Sequence, residues 1–511
     1  MSSNISPLLD PVHSPLMKSL YSCIILTLLI SCKLTYFKVL FPFNLSICGT
    51  YFNPSVIIAL MCGIAGAAGK DAKDTVQKIL EVIKHRGPDG IGIFAKDDIA
   101  IGNVLLKITG GKKQPISNGG ALTFNGEIYN FREMAQALGI TTDSDSEVLY
   151  ELIISYGIEE AAAKSDGDYA FAYTRDGNIS IVRDPAGVKP LYYSTGNGFA
   201  FASEKKALIG RNDIRSLKPG HMVTFCAGNI IEKKITAFSI GEKLAEENMA
   251  REMLFKSLEQ SVNKRHYEPC AIAFSGGLDS SFLAALCRDA KLYSVGMKGS
   301  HDIGQTRKAA QLLALQDNLH LHELTMDELE SALPYVINAI GSADAMKVSI
   351  ALPMYFASKD AHNDGIRVIL SGQGADELFA GYKRYESMTA PELESALRKD
   401  LENIAQNNLE RDDAVTMANS VELRVPYLDR KVVELALGIA PELKIYNGVR
   451  KYILRLAASM ILPDELVWKE KKAAQYSSGV YSAMEKLAGK NGYRGALGVY
   501  LGEIKQKEPI L

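Results

Sequence analysis

The sequence predicts a multidomain α/β chain: a half built of antiparallel sheets, then a doubly wound parallel sheet with a helical C-terminal part. Three observations carry this. The chain has 511 residues, more than one hydrophobic core ordinarily organises. Up to about Ile235, short strand-like runs alternate with Gly and Asn turns, the grammar of antiparallel sheets. From about Ser239, single strands alternate with helices, the grammar of a parallel sheet.

The first sixty residues stand apart. Their only Asp, Glu, Lys or Arg residues are Asp10, Lys18, Lys33 and Lys38. The apolar run Leu20–Cys32 falls short of the roughly 20 residues a membrane-spanning helix needs. Pro42 and Pro54 break the later uncharged run as a helix. We expect residues 1–60 to be a hydrophobic extension absent from the working protein, and no stable membrane association. Charged residues are 23% and hydrophobic residues 47%, an ordinary globular balance. The net charge of −2 gives no footprint for nucleic acid. Seven cysteines without a CxxC pair point to a reduced, cytoplasmic chain with neither a disulfide framework nor a zinc site.

Within residues 61–238 the runs IAIGNVLLKI, GALTFNGEIYNF, GDYAFAYT, NISIVRD and GFAFASEK read as strands, and DTVQKILEVIKH as a helix. Met61-Cys62-Gly63-Ile64 enters a strand, where a cysteine is ordinarily a small buried hydrophobe. In FNGEIYN, the Asn125 amide and the Gly126 backbone N–H form a suitable pair for an oxyanion. SDSE, Ser144 to Glu147, offers carboxylates for an ammonium group and is equally a helix start.

Within residues 239–511, CAIAF, KLYSVGM and IRVILS read as buried strands, and SFLAALCRDA and TRKAAQLLALQ as helices; the tail from Leu393 is mostly helical. CAIAF leads into Ser275-Gly276-Gly277-Leu278-Asp279-Ser280-Ser281. Paired glycines let backbone N–H groups reach phosphate oxygens, and the following helix start favours an anion. Asp279 can hold a Mg2+ ion against those phosphates. No Gly-Lys-Ser/Thr ends the loop, so it is not a Walker-A loop. A second glycine loop, Ser371-Gly372-Gln373-Gly374-Ala375-Asp376, follows the strand IRVIL.

HRGPDG, FNGEIYN, SDSE, RDPAGVKPLYY and FASEKKAL, in this order, resemble the class II glutamine amidotransferase domain, an N-terminal-nucleophile hydrolase of αββα layers. The resemblance spans Met61 to about Gly220. It implies hydrolysis of glutamine to glutamate and ammonia, with Cys62 as nucleophile and Asn125 and Gly126 as oxyanion hole. Asn125, Gly126, Glu127 and Asp145 then bind glutamine. The general base is the α-amine of the cysteine itself, whose pKa near 7.7–8.0 suits the task. That amine exists only if the chain begins at Cys62, so Met61 is the expected initiator, removed after synthesis.

The second half resembles the synthetase domain of the glutamine-hydrolysing asparagine synthetases, which are ATP pyrophosphatases. The resemblance implies that aspartate, ATP and glutamine are the substrates. The products are asparagine, AMP, pyrophosphate and glutamate, formed through a β-aspartyl-AMP intermediate, with ammonia passing along an internal tunnel. Phe274, Ser275, Gly276, Gly277, Asp279, Ser280, Val295, Ser371 and Gly372 match ATP-binding positions. Asp279 and Asp376 match Mg2+ ligands, and Lys471, or Lys472 beside it, the catalytic lysine. A homodimer is compatible with the family.

Three positions depart from the pattern. Leu105 stands where the family carries an arginine for the glutamine carboxylate, leaving Arg86 or Lys107 as substitutes. Gln373 stands where many members have a glutamate that assists adenylation. Met346-Lys347-Val348-Ser349 lacks the acceptor-binding arginine, leaving Lys347 or Arg424. The alternative is therefore a ligase of the same architecture acting on another carboxylate.

Overall fold

Tight turns cut the first half into short strands, and period-two alternation buries one face of each against a partner layer. The structure is a computed structural model describing residues 60–108, 112–469 and 478–507, and for residues 60–62 and 301 the backbone. The leader, residues 1–59, and Lys471 and Lys472 lie outside the described residues.

The first half contains β1 (Leu60–Ala68), β2 (Gly90–Lys96), β3 (Ile99–Lys107), β4 (Ile116–Ser117), β5 (Ala121–Ile128) and β6 (Gly167–Arg175). It continues with β7 (Asn178–Arg183), β8 (Tyr192–Ser194), β9 (Ala200–Ala202), β10 (Arg215–Ser216), β11 (His221–Cys226) and β12 (Asn229–Lys234). They form two antiparallel six-stranded sheets, ordered β10-β8-β9-β1-β3-β2 and β12-β11-β7-β6-β5-β4. Ile64, Ile101 and Phe201 of the first sheet pack against Ala172, Ile181 and Val223 of the second. The helix Ala72–Val82 covers the outer face of the first sheet through Val76, Ile79 and Leu80. The helices Phe131–Leu138 and Asp145–Tyr156 cover the second through Phe131, Val148 and Leu149. The layers are αββα, as the family resemblance implies.

In the second half, β13 (Ala271–Ala273), β14 (Lys291–Met297), β15 (Leu319–Leu324), β16 (Val368–Leu370) and β17 (Glu422–Arg424) form one parallel sheet, ordered β15-β14-β13-β16-β17. The order reverses between β13 and β16. Connections there leave in opposite directions and open a crevice at the carboxyl ends of those two strands. Ser275–Ser280 follows β13 and Ser371–Asp376 follows β16, so the topology sets both glycine loops at that crevice. The C-terminal part is helical, including Ala390–Ile404, Arg430–Gly438, Val480–Lys490 and Leu497–Lys507. Among the described residues, no helix is long and apolar enough to cross a membrane.

Candidate functional site

The first candidate site lies on β5. Leu122, Phe124 and Ile128 point into the helix-covered core. Alternation therefore turns Asn125 and Glu127 to the face between the sheets, and both are buried. Gly126 between them has φ 144°, and a Cβ there would lie 2.1 Å from the Asp168 carbonyl oxygen. Only glycine fits. Asp145 opens the next helix behind the cap Ser144, whose Oγ accepts from Glu147 N at 3.4 Å. The helix-start reading of SDSE is thus correct, and the same residue is a buried carboxylate. Asp145 accepts from Ile128 N at 3.2 Å and from Ser146 N at 2.7 Å, which ties it to the end of β5.

The electrostatics are unusual. Burial pushes the Glu127 carboxyl up to about 7, against the pull of Arg424. Burial, then the Glu127 charge, pushes Asp145 well above the usual carboxylate range. Two crowded acids of this kind gain from an incoming ammonium group. The backbone of Cys62 pairs with Leu105 across β1 and β3; its side chain lies outside the described residues.

The two substitute arginines are already engaged. Arg86 is fully buried and donates to Asp413 Oδ2 at 2.7 Å and Glu204 Oε1 at 3.1 Å. Lys107 ends β3 with an exposed side chain. Arg424 is no acceptor ligand either. Its guanidinium donates to Glu127, to Glu422 Oε1 at 3.1 Å and to the Arg265 carbonyl at 2.8 Å. Its backbone carbonyl accepts from Ser371 N at 3.0 Å. Lys347 is exposed. The physical reason is common to the two arginines: a fully buried guanidinium must meet a carboxylate, and sequence distance does not show which one.

The second site is a cavity of about 530 Å³ at the switch point. Phe274, Ser275, Gly276, Gly277, Asp279, Ser280, Val295, Ser371, Gly372, Gln373 and Asp376 all line it. The structure therefore brings together every described residue the sequence assigns to the nucleotide or adenylation; Lys471 lies outside the described residues. Within the first loop, Gly277 N donates to Ser275 Oγ at 3.3 Å, and the hydroxyls of Ser275 and Ser280 lie 3.1 Å apart. Gln373 Nε2 donates to Asp412 Oδ2 at 2.5 Å.

Lys451 is the residue that sequence reasoning misses. Its ammonium donates to Asp279 Oδ1 and Oδ2 at 2.6 and 2.7 Å and lies 2.8 Å from Asp376 Oδ1. Burial pulls its pKa down, but the two aspartates hold it above the ordinary lysine value. It is 3% exposed and has φ 57°, a strained backbone for a side-chain-bearing residue. Gly381 makes the room: a Cβ there would lie 1.7 Å from Asp376 Oδ1. In sequence, Lys451 sits in an ordinary-looking run, NGVRKYILR; the turn Asn447-Gly448 before it was the available signal.

The helix Ala345–Asn363 supplies another wall of the cavity through Ser349, Ile350, Pro353, Met354 and Ala357, none of them charged.

Residues 61–252 match the family described as glutamine amidotransferase domain, and residues 253–392 and 386–491 match asparagine synthase. A putative glutamine-hydrolysing asparagine synthetase of Methanocaldococcus jannaschii is 36% identical, covering 88% of this chain and 99% of its own. A probable one of Schizosaccharomyces pombe is 31% identical over 84% of this chain and 86% of its own. One from Bacillus subtilis is 29% identical over 80% and 86%. Identity of this degree over nearly the whole length of a relative, with both domains in that order, places the chain in the family of glutamine-hydrolysing asparagine synthetases.

Proposed function

We propose that this chain makes asparagine from aspartate, with glutamine as nitrogen donor and ATP as the energy source. The observation that carries the reading is the pairing of two chemistries in one chain. A cluster of buried acids suited to an amino acid's ammonium group lies in the αββα half. A glycine-loop cavity with an Asp–Lys–Asp bridge lies at the switch point of the parallel sheet.

In this reading residues 61–238 are the glutaminase and residues 239–511 the synthetase. Cys62, freed of Met61, attacks the glutamine carboxamide with its own amine as base. Asn125 and Gly126 hold the oxyanion, and Glu127 and Asp145 hold the ammonium group. In the cavity, Phe274 and Val295 flank the adenosine, and the two loops receive the phosphates. The β-carboxylate of aspartate displaces pyrophosphate from ATP. Ammonia then attacks the β-aspartyl-AMP and releases AMP. The oxygen donors of Asp279 and Asp376 fit Mg2+, which would shield the phosphate charge; Lys451 bridges the same two carboxylates and would share that load. Lys471 is the proposed partner for charge on the reacting phosphate, and Gln373 the proposed aid to adenylation. A cytoplasmic location and a homodimer complete the proposal.

A second reading, the same chemistry on another carboxylate, is favoured by one observation: the helix Ala345–Asn363 brings no cation to the cavity. The test is pyrophosphate release across a panel of carboxylic acids with ammonia as nucleophile. Release that needs aspartate supports asparagine synthesis. Release that prefers another acid favours the second reading, and none with any acid refutes both.

A further inference from the structure

The amino edge of the parallel sheet, opposite the nucleotide crevice, gathers four side chains that the proposed reaction does not use. His266 follows the helix Glu247–Arg265, and Cys270 immediately precedes β13. Cys287 caps the helix Leu278–Leu286, and Asp289 lies in the turn to β14. His266 Nε2 is 2.8 Å from Asp289 Oδ2, and Cys287 Sγ is 3.6 Å from Asp289 Oδ1. One donor atom each from His266, Cys287 and Asp289 lies within 4.8 Å of the others. The Cys270 thiol donates instead to the Ala271 carbonyl at 3.5 Å and is not part of this donor group. Both cysteines are buried, whereas His266 and Asp289 are 28% and 52% exposed, which leaves an open side for entry.

We propose that His266, Cys287 and Asp289 form a site for one zinc-class divalent cation. One imidazole nitrogen, one sulfur and one carboxylate oxygen are donor types that tetrahedral zinc takes, and water can fill the fourth position. Bonds of about 2.0–2.3 Å at tetrahedral angles put donor atoms roughly 3.5 Å apart. The cluster needs only a small contraction to reach that spacing. Loss of the Cys287 thiol proton on binding supplies the thiolate.

The location gives the ion a task. His266 lies in the segment that leads into the strand feeding the pyrophosphate loop, and Cys287 ends the helix that leaves it. That helix is nine residues, roughly 14 Å, long. An ion joining its far end to the segment before the strand would brace both anchors of the loop without touching nucleotide. The sequence expectation of no zinc site rested on the missing CxxC spacing. The parts of this site are one histidine and a Cys-x-Asp pair, separated by twenty residues, a pattern that only the fold brings together.

The test is Co2+ titration of the full chain carrying Cys62→Ala, which removes the other thiolate of interest. One equivalent should bind with thiolate-to-metal charge transfer and visible bands of tetrahedral intensity, and Zn2+ should displace it. Cys287→Ser should weaken binding roughly a hundredfold, by the share of site energy one ligand carries. Asp289→Asn, at a half-exposed position where folding is not at risk, should weaken it too. Absence of these bands overturns the proposal, as does their persistence in Cys287→Ser and Asp289→Asn. A native mass two hydrogens light, with Cys270 and Cys287 joined and no ion taken up, also overturns it.

Discussion

At the residue scale, Glu127, the proposed ligand for the glutamine ammonium group, shows how burial reshapes an acid. Its carboxyl is held near 7, so it loses charge just below neutrality. An ammonium guest needs the charged form. The KM for glutamine in the hydrolysis reaction should therefore rise as pH falls below about 7. Glu127→Gln should raise KM at every pH and flatten that dependence; a slope that survives in the variant assigns the titration to another group. Between the ordinary value of 4.5 and about 7, the folded chain keeps a proton that the unfolded chain has lost. The same group thus costs stability as pH rises through that window. Gln373 shows the opposite economy. Its amide donates to Asp412, which Arg411 Nε also meets at 2.8 Å. A glutamate at 373 would face that acid directly, so this departure from the family has a local complement. Sequence exposed the identity of both residues but neither neighbour, because Asp412 and Arg424 are set against them by the fold alone.

At the element scale, β17 was the hardest to read. It is three residues long, and its Glu-Leu-Arg run lacks the apolar continuity of β13 or β16. It forms because Glu422 and Arg424 find partners: Lys189 Nζ lies 3.3 Å from Glu422 Oε1, and Arg424 meets Glu127. Similar pairs join other elements of the two halves, Arg183 with Glu410 at 3.0 Å and Arg265 with Asp168 at 3.0 Å. Arg424→Met should cost about 3–5 kcal/mol, because Glu127 and Glu422 stay buried while their cation is lost. Denaturant unfolding measures this. Adding Glu127→Gln should recover part of the loss; strict additivity of the two changes would mean that the pair is not coupled. The helix 72–82 was legible because its apolar periodicity is strong, and the helices 278–286 and 301–312 from their place between the strands.

At the scale of the whole molecule, the order of the halves and both glycine loops were legible from turn chemistry and period, and the αββα layers from the family resemblance. The electrostatic seam was not. Two centres in separate folds should fail separately. Cys62→Ala should abolish glutamine use and leave ammonia-dependent synthesis, measured as AMP release with ammonium as the donor. Asp279→Asn should stop AMP release and leave glutamate formation from glutamine measurable. Loss of both activities in either variant would mean that the centres are not independent.

The Arg424–Glu127 contact also has a meaning in time. Its partners are 297 residues apart. During translation Glu127 leaves the ribosome long before Arg424 has been added to the chain. Until then its carboxylate is free of the seam that buries it and titrates like any acid in water. The acid cluster that suits an amino acid's ammonium group therefore belongs to the finished protein. A nascent or prematurely ended chain lacks the Arg424 partner that completes that cluster.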